Sequence, residues 1–298
     1  ANAFSPTAYQ PDITSYDYDA PISEQGQPTA KYFMLRNLIS KYSATPLPDI
    51  PAPQRVIYVQ EIPMKRVQSI WDVLPSPIIS PQPLPMEMLD QNQGLMLYRT
   101  ELIGHKSGKL TIWEPHDYAL VFLDGVFIDT VIRDGGKWTV DLPKTTTTKN
   151  PVLDILVEGM GHINFAQFMI DRKGITDRVT LNGMTLMNWK HYSLPMNETF
   201  VANALKQPRF STGGRNGQFF TGQFILEETG DTFFDLSDYE KGMVYVNGHL
   251  LGRFWNIGPQ QRIYCPANWL KKGKNEMVIF DLHCTTASAV VGVQSMNE

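Results

Sequence analysis

Short apolar runs separated by turn residues recur from residue 90 to the end of the chain. Each run has the length of a strand, and several alternate apolar with polar positions, which favours strands with one buried face. Seven runs come first, at 94–102, 109–114, 119–123, 126–133, 138–142, 152–158 and 179–181. Six more follow, at 218–226, 232–235, 242–246, 250–255, 262–264 and 276–283. So many short strands at such close spacing predict β-sandwich domains.

An internal repeat indicates that this region contains two copies of one fold. Leu120-Val-Phe-Leu-Asp-Gly125 aligns with Val244-Tyr-Val-Asn-Gly248, and the run that follows Asn150 aligns with the run that follows Asn275. The offsets, from 124 to 247 and from 150 to 275, are 123 and 125 residues. In both copies the Asp-Gly or Asn-Gly pair suits the type I′ turn of a hairpin. A nearly constant offset predicts two jelly-roll sandwiches that arose by duplication.

The first 46 residues have a different pattern. A strand-like run from residue 13 leads into an acidic loop that is stopped by proline, and Tyr32, Leu35, Ile39 and Tyr42 then recur at helical spacing. One strand, one loop and one helix cannot close a hydrophobic core of their own. The pattern is typical of a single βα unit of a (β/α)₈ barrel.

Proline recurs through residues 43–86 and favours extended chain there. Within this stretch, residues 55–62 alternate like a strand. We therefore predict four regions: a βα barrel remnant at 1–46, a proline-rich connector with a strand that packs on the last domain at 47–89, a first β-sandwich at 90–192 and a second at 193–298. The predicted fold class is mainly β, with two jelly-roll sandwiches preceded by the βα remnant of a TIM barrel.

Composition excludes several kinds of partner and site. The net charge of -4 gives no reason to expect nucleic acid or a membrane surface as a partner, and no apolar run is long enough to span a bilayer. The six histidines show no metal-ligand spacing, so no metal or cofactor is predicted.

Cys265 and Cys284 are expected either as buried free thiols or as a disulfide between neighbouring strands. Since the N-terminus has no signal-peptide pattern, either the protein stays inside the cell or a targeting segment lies upstream.

Two groups of motifs resemble a known family. Val246-Asn-Gly-x-x-x-Gly-Arg-Phe-Trp255 and Gly258-Pro-Gln260, followed by Ile263-Tyr-x-Pro266 and Leu270-Lys-x-Gly-x-Asn275, resemble the C-terminal, galactose-binding-like β-domain of the family 35 β-galactosidases.

The N-terminal region resembles another part of the same family. Ser15-Tyr-Asp-Tyr-Asp-Ala-Pro-Ile-Ser-Glu24, followed by Lys31-Tyr-Phe-x-Leu-Arg36, resembles the eighth strand, loop and helix of the catalytic barrel. The resemblance implies retaining hydrolysis of terminal β-galactosides by the complete enzyme, which would be periplasmic or secreted. It also implies that the first seven barrel units are absent from this chain, so that the partners are its own catalytic barrel and a galactoside or glycan.

A retaining glycosidase needs two facing carboxylates, and the family draws its acid/base from an Asn-Glu pair at a barrel strand end. The Asn-Glu pairs of this chain begin at residues 197, 275 and 297, and none follows an apolar barrel strand. We therefore predict no catalytic residue here and no activity of the chain alone. By resemblance, Tyr18 and, behind it, Tyr16 are predicted to contact galactose in the complete enzyme, since tyrosine stacks on sugar C–H faces.

Other candidate residues support alternative functions. A free-standing carbohydrate-binding module would present exposed, coplanar rings among Trp113, Trp138 and Trp255. Arg253, Trp255 and Gln260 could together contact a sugar, although turn glycines and large apolar residues around them favour a packing role.

A third alternative is an autonomous hydrolase that uses Asp17, Asp19 and Glu24. We disfavour it because the three carboxylates share one short loop, with no second strand end opposite them.

Overall fold

A computed structural model describes residues 19–104, 107–144, 150–164, 169–206, 215–258 and 261–296, and the backbone of residues 2–3 and 9–10. The chain divides into two compact units, which are Ala1–Asp12 with Ile70–Arg215 and Ile13–Ser69 with Asn216–Glu298. The predicted strand and much of its loop, at residues 13–18, lie outside the described residues.

Strands form most of the regular secondary structure of the described residues. The helices are α1 (Ala30–Ser40) and α2 (Glu198–Ala204), with short 3₁₀ turns at Ile70–Asp72, Met86–Leu89, Asp134–Gly136 and Ala267–Trp269. The strands are β1 (Asn2–Ala3), β2 (Tyr9–Gln10), β3 (Val59–Ile62), β4 (Met64–Ser69), β5 (Ile78–Ser80), β6 (Gly94–Glu101), β7 (Gly108–Ile112), β8 (Pro115–His116), β9 (Tyr118–Leu123), β10 (Val126–Ile132), β11 (Thr139–Leu142), β12 (Val152–Gly159), β13 (Gly174–Ile175), β14 (Val179–Leu181), β15 (Met184–Thr185), β16 (Trp189–Leu194), β17 (Gln218–Leu226), β18 (Thr232–Asp235), β19 (Lys241–Val246), β20 (His249–Trp255), β21 (Arg262–Cys265), β22 (Gly273–Asp281) and β23 (Val290–Val293).

The first unit contains a β-sandwich. Its larger sheet has the order β10-β9-β12-β6-β16-β5, and its smaller sheet has the order β11-β7-β14-β15. Alternate residues of the two sheets meet in one core, which includes Leu110, Val121, Ile155, Val179 and Trp189. No helix among the described residues combines the length and the apolar character needed to cross a bilayer.

The second unit contains another sandwich, with sheets of order β20-β19-β22-β17-β4 and β21-β18-β23-β3. Its core includes Phe220, Phe234, Val244, Ile263 and Ile279. Strands β3 and β4 come from the region predicted as a connector, and they pair with β23 and β17 at the sheet edges. The predicted fold class, mainly β with two sandwich domains, is confirmed.

Both predicted hairpin turns of the repeat are present. Asp124 and Asn247 have φ of 49° and 50°, and the glycines after them also have positive φ. The Oδ1 atom of Asp124 accepts the N–H of Val152 at 2.8 Å, and that of Asn247 accepts the N–H of Glu276 at 3.1 Å. In both sandwiches the turn residue therefore bonds the backbone of a later strand, at its first residue in β12 and at its fourth in β22.

Several elements differ from the sequence prediction. The sequence pattern did not predict β16, which crosses the predicted domain boundary at residue 192 and lies inside the large sheet of the first unit. It was missed because Lys190, His191 and Ser193 interrupt its apolar pattern. Strand β23 was also missed. Asn197, which begins one of the Asn-Glu pairs, caps α2, since its Oδ1 atom accepts the N–H of Phe200 at 2.8 Å.

Candidate functional site

The predicted sugar-contacting residues Tyr16 and Tyr18 lie outside the described residues, as do Asp17 and Gln260. Their role stays a prediction. Asp19, in the same loop, is described, and its largely exposed carboxylate pairs with the partly exposed Lys31 ammonium at 3.1 Å. The loop around Asp19 therefore contacts the start of α1.

Helix α1 carries a large apolar surface that the described part of the chain leaves open. Five of its side chains define what we call the α1 surface: Phe33, Met34, Leu35, Leu38 and Ile39. None of the 11 residues of the helix is buried by the described residues, and Met34 is 67% exposed.

A shallow cavity of about 370 Å³ continues the α1 surface toward the loops on either side. Its apolar lining includes Ile22, Tyr32 and Leu47, and its polar lining includes Arg36 and Asp49. A helix of a folded protein normally buries one apolar stripe, whereas α1 exposes side chains over more than one face. The α1 surface is therefore typical of a helix that packs against a partner.

The tryptophans considered for sugar binding have contacts within their own sandwiches. The guanidinium of Arg178 lies 4.8 Å from the centre of the Trp113 ring. Trp138 packs against the first core, and the Lys241 ammonium lies 4.3 Å from the centre of the Trp255 ring. These contacts give all three rings a packing or cation–π role.

A charged row lies on one face of the large sheet of the first unit, where sequence reasoning did not predict a site. The carboxylate of Asp154 accepts two hydrogen bonds from Arg99, from Nε at 2.6 Å and from Nη2 at 3.1 Å. It accepts a third from Nη2 of Arg215 at 2.9 Å. The Arg215 guanidinium also stacks on Trp71, 3.1 Å from the ring centre. The signal in the sequence was a single aspartate within the apolar run 152–157. A charge at such a position requires a buried partner.

A second group of charges is fully enclosed in the same unit. Lys173 Nζ donates to Asp117 at 2.7 Å and to Asp171 at 2.8 Å, and Arg133 bonds the same two carboxylates at 2.9 and 2.7 Å. Burial by itself raises the pKa of Asp171, but the bonds from Lys173 and Arg133 outweigh burial and hold that pKa below its usual value. Two anions and two cations neutralise one another, so this cluster has a structural role.

The thiols of Cys265 and Cys284 are free. Burial is the main reason that the pKa of each thiol is raised to about 12, so both stay protonated at neutral pH. Among the described residues, no group of three or more His, Cys, Asp or Glu side chains is placed to hold a metal ion.

Comparison with known proteins gives the class of the chain. The model of the β-galactosidase first all-beta domain matches residues 83–195, and that of the β-galactosidase galactose-binding domain matches residues 218–275. The model of the glycosyl hydrolases of family 35 matches residues 1–42, which include α1. Fold and matches together define the C-terminal β-domain region of a β-galactosidase, preceded by a segment that matches the family 35 glycosyl hydrolase model.

Individual relatives agree with this class. Beta-galactosidase 17 of Arabidopsis thaliana is 36% identical, over 92% of this chain and 44% of its own length. Beta-galactosidase-1-like protein 2 of Homo sapiens is 37% identical over the same shares. The beta-galactosidase of Xanthomonas manihotis is 34% identical, over 86% of this chain and 42% of its own. This chain belongs to glycosyl hydrolase family 35, and it spans less than half the length of these relatives.

Proposed function

We propose that the chain is a non-catalytic region that supports the catalytic barrel of a β-galactosidase, in an enzyme that hydrolyses terminal β-galactosides with retention. The observation that carries the proposal is the open α1 surface. This surface lies in the segment that matches the family 35 glycosyl hydrolase model, whereas each sandwich has a buried core of its own.

Covering the α1 surface would contribute substantially to association. Five large apolar side chains that lose most of their exposure would each contribute about 1–2 kcal/mol, from about 25 cal/mol per Å² of buried apolar surface. The partner with matching chemistry is the rest of the barrel, because a (β/α)₈ barrel packs each outer helix on its own strands and on the neighbouring helices. In that assembly Tyr18 and Tyr16 would lie at the strand end that faces the substrate.

The same proposal assigns the chemistry to the partner. Retaining hydrolysis needs a nucleophile and an acid/base about 5–5.5 Å apart. Among the buried acidic groups, Asp117, Asp154 and Asp171 are bonded by arginine or lysine, and Asp281 accepts backbone N–H groups. We therefore expect no turnover of nitrophenyl β-galactoside by the chain alone.

The test is reconstitution with a known relative. The part of the Xanthomonas manihotis enzyme that this chain does not match is produced separately and mixed with the chain, and binding and nitrophenyl β-galactoside hydrolysis are measured. We expect binding, and we expect Met34→Ser with Leu38→Ser to weaken it by about tenfold or more, since two apolar contacts are lost.

Ile225→Ser is the matched control, since Ile225 is 79% exposed on a strand of the second sandwich, away in sequence from α1. The matched region of the relative itself serves as the positive control. If that region restores activity while this chain neither binds nor restores it, the proposal fails. Galactose binding by the unmixed chain would instead favour a free-standing carbohydrate-binding module.

A further inference from the structure

A groove of about 650 Å³ lies over the end of the large sheet in the first unit. We call it the Arg99 groove. Strand register places its floor, because Lys190, Arg99 and Asp154 lie directly opposite one another on β16, β6 and β12. Since successive residues of a strand alternate between faces, Glu101 lies two residues along on the same face as Arg99.

The buried end of the row holds Arg99 in position. The Asp154 side chain is only 2% exposed, and it accepts two hydrogen bonds from Arg99 in the bidentate arrangement that fixes a guanidinium plane. These bonds use Nε and Nη2, so the Nη1 hydrogens of Arg99 are not needed for the contact with Asp154. A preorganised guanidinium at the wall of a cavity is a common recognition group for a carboxylate.

Lys190 adds a further cation to Arg99 and Arg215. It lies directly opposite Arg99, an arrangement of like charges that disfavours the pair by itself. Across the part of the chain that the structure describes, no carboxylate lies within ion-pair distance of Lys190. An anion between the two side chains would remove the repulsion and complete the row.

The rest of the lining suits a sugar better than a bare anion. Glu101 and Asn188 offer acceptors and donors to hydroxyl groups, whereas Ile103 and Met187, which are 69% and 48% exposed, offer apolar surface to C–H faces. Glu101 is exposed, so solvent and salt screen its charge.

We propose that the Arg99 groove binds a saccharide unit that carries a carboxylate, such as a uronic acid. The carboxylate lies between Arg99 and Lys190, and the ring hydroxyls bond Glu101 and Asn188. This site is on the first all-beta domain, so it is separate from the galactose-binding domain match and does not depend on the partner proposed above.

The experiment is a calorimetric or NMR titration of the whole chain with galacturonate, galactose and acetate. We expect galacturonate to bind at least about tenfold more tightly than either of the others, because only it supplies both the charge and the hydroxyls. Lys190→Gln should weaken galacturonate binding by about fivefold to tenfold and leave the fold intact, since Lys190 is exposed. Higher salt should weaken it as well.

Lys109→Gln, an exposed lysine on β7 of the other sheet, is the matched control and should leave the affinity unchanged. Equal affinity for galactose and galacturonate would overturn the proposed role of the carboxylate. Equal affinity for acetate and galacturonate would overturn the proposed role of the sugar ring. Absence of galacturonate binding, or binding that Lys190→Gln does not change, would overturn the site.

Discussion

The side-chain Nδ2 of Asn247 donates to Oδ1 of Asn275 across 2.8 Å, which joins the turn between β19 and β20 to strand β22. Asn275 is 1% exposed, and it also accepts the N–H of Lys271 at 2.8 Å and donates to the carbonyls of Lys271 and Gly273 at 2.7 and 3.0 Å. Its amide therefore closes the loop before β22 and holds the turn between β19 and β20 against that loop.

Replacement of Asn275 by alanine should destabilise the second sandwich by about 2–4 kcal/mol, because several buried groups would lose their partner at once. Chemical denaturation followed by tryptophan fluorescence measures the change. Asn256→Ala is the control, since Asn256 is exposed in the same sandwich, and it should change the free energy of unfolding by less than about 0.5 kcal/mol. If the two substitutions change the free energy of unfolding equally, the hydrogen bonds of the Asn275 amide do not stabilise the sandwich more than an exposed side chain does.

The asparagines also explain why the second sandwich could be predicted from the sequence. The turn dipeptide and the asparagine before the later strand are local signals, and each recurs in the repeat at nearly the same offset. Strand β16 gave no such signal, because its place in the sheet depends on pairing with β5 and β6, which are distant in sequence. This pairing buries the polar residue His191. The partners of Asp154 were unpredictable for the same reason, since Arg99 and Arg215 come from far along the chain.

Two glycines in the hairpin should respond very differently to alanine. Gly248 has φ of +86° with no atom near its missing Cβ, so Gly248→Ala should cost only the backbone strain of about 1 kcal/mol. Gly242 lies in β19, where a Cβ would collide with the backbone carbonyl of Phe280 on the paired strand. We expect Gly242→Ala to cost more than about 3 kcal/mol or to prevent folding.

Thermal unfolding and soluble yield of the two alanine variants, compared with the unchanged chain, test this pair. Each glycine serves as the control for the other, since both lie in the same hairpin and receive the same side chain. A Gly248→Ala variant that is less stable than Gly242→Ala would contradict the packing of β19 against β22.

The enclosed cluster of the first sandwich predicts a large effect of removing one cation. Lys173 is fully buried and bonds Asp117, Asp171 and the carbonyl of Gly161. Lys173→Met should cost about 3–5 kcal/mol at pH 7, since two buried carboxylates would then lose one of the two cations, Lys173 and Arg133, that bond them both. Lys137→Met, at an exposed site of the same unit, is the control and should cost less than about 0.5 kcal/mol.

The difference between Lys173→Met and the unchanged chain should also depend on pH. Because the folded pKa of Asp171 is lowered, its contribution to stability is present above about pH 4, the pKa of an unfolded aspartate, and is lost as the pH falls below that value. Urea titrations at pH 7 and pH 3.5 should therefore show a smaller difference at the lower pH. A difference that does not change with pH would rule out an ionic origin.

His191 should make the first sandwich less stable in mild acid. The N–H of Leu84 donates to Nε2 of this buried ring at 3.1 Å, so Nδ1 carries the proton and donates to the carbonyl of Ile78 at 3.1 Å. Burial lowers the pKa of His191, and the hydrogen bond to Ile78 opposes this only in part. In the unfolded chain His191 is therefore protonated near pH 6.5, whereas in the folded chain it stays neutral at that pH. The free energy of unfolding consequently falls as the pH drops through 6.5.

The expected slope from one such group is at most about 1.4 kcal/mol per pH unit between pH 6.5 and the lowered folded pKa. His191→Gln keeps a polar group in the cavity but cannot titrate, so the variant should lose this part of the slope even where its overall stability is lower. Denaturation of both proteins at half-unit steps from pH 7.5 to pH 5 measures the two slopes. Parallel slopes would mean that His191 is protonated equally in the folded and unfolded chains, which its two backbone hydrogen bonds do not allow.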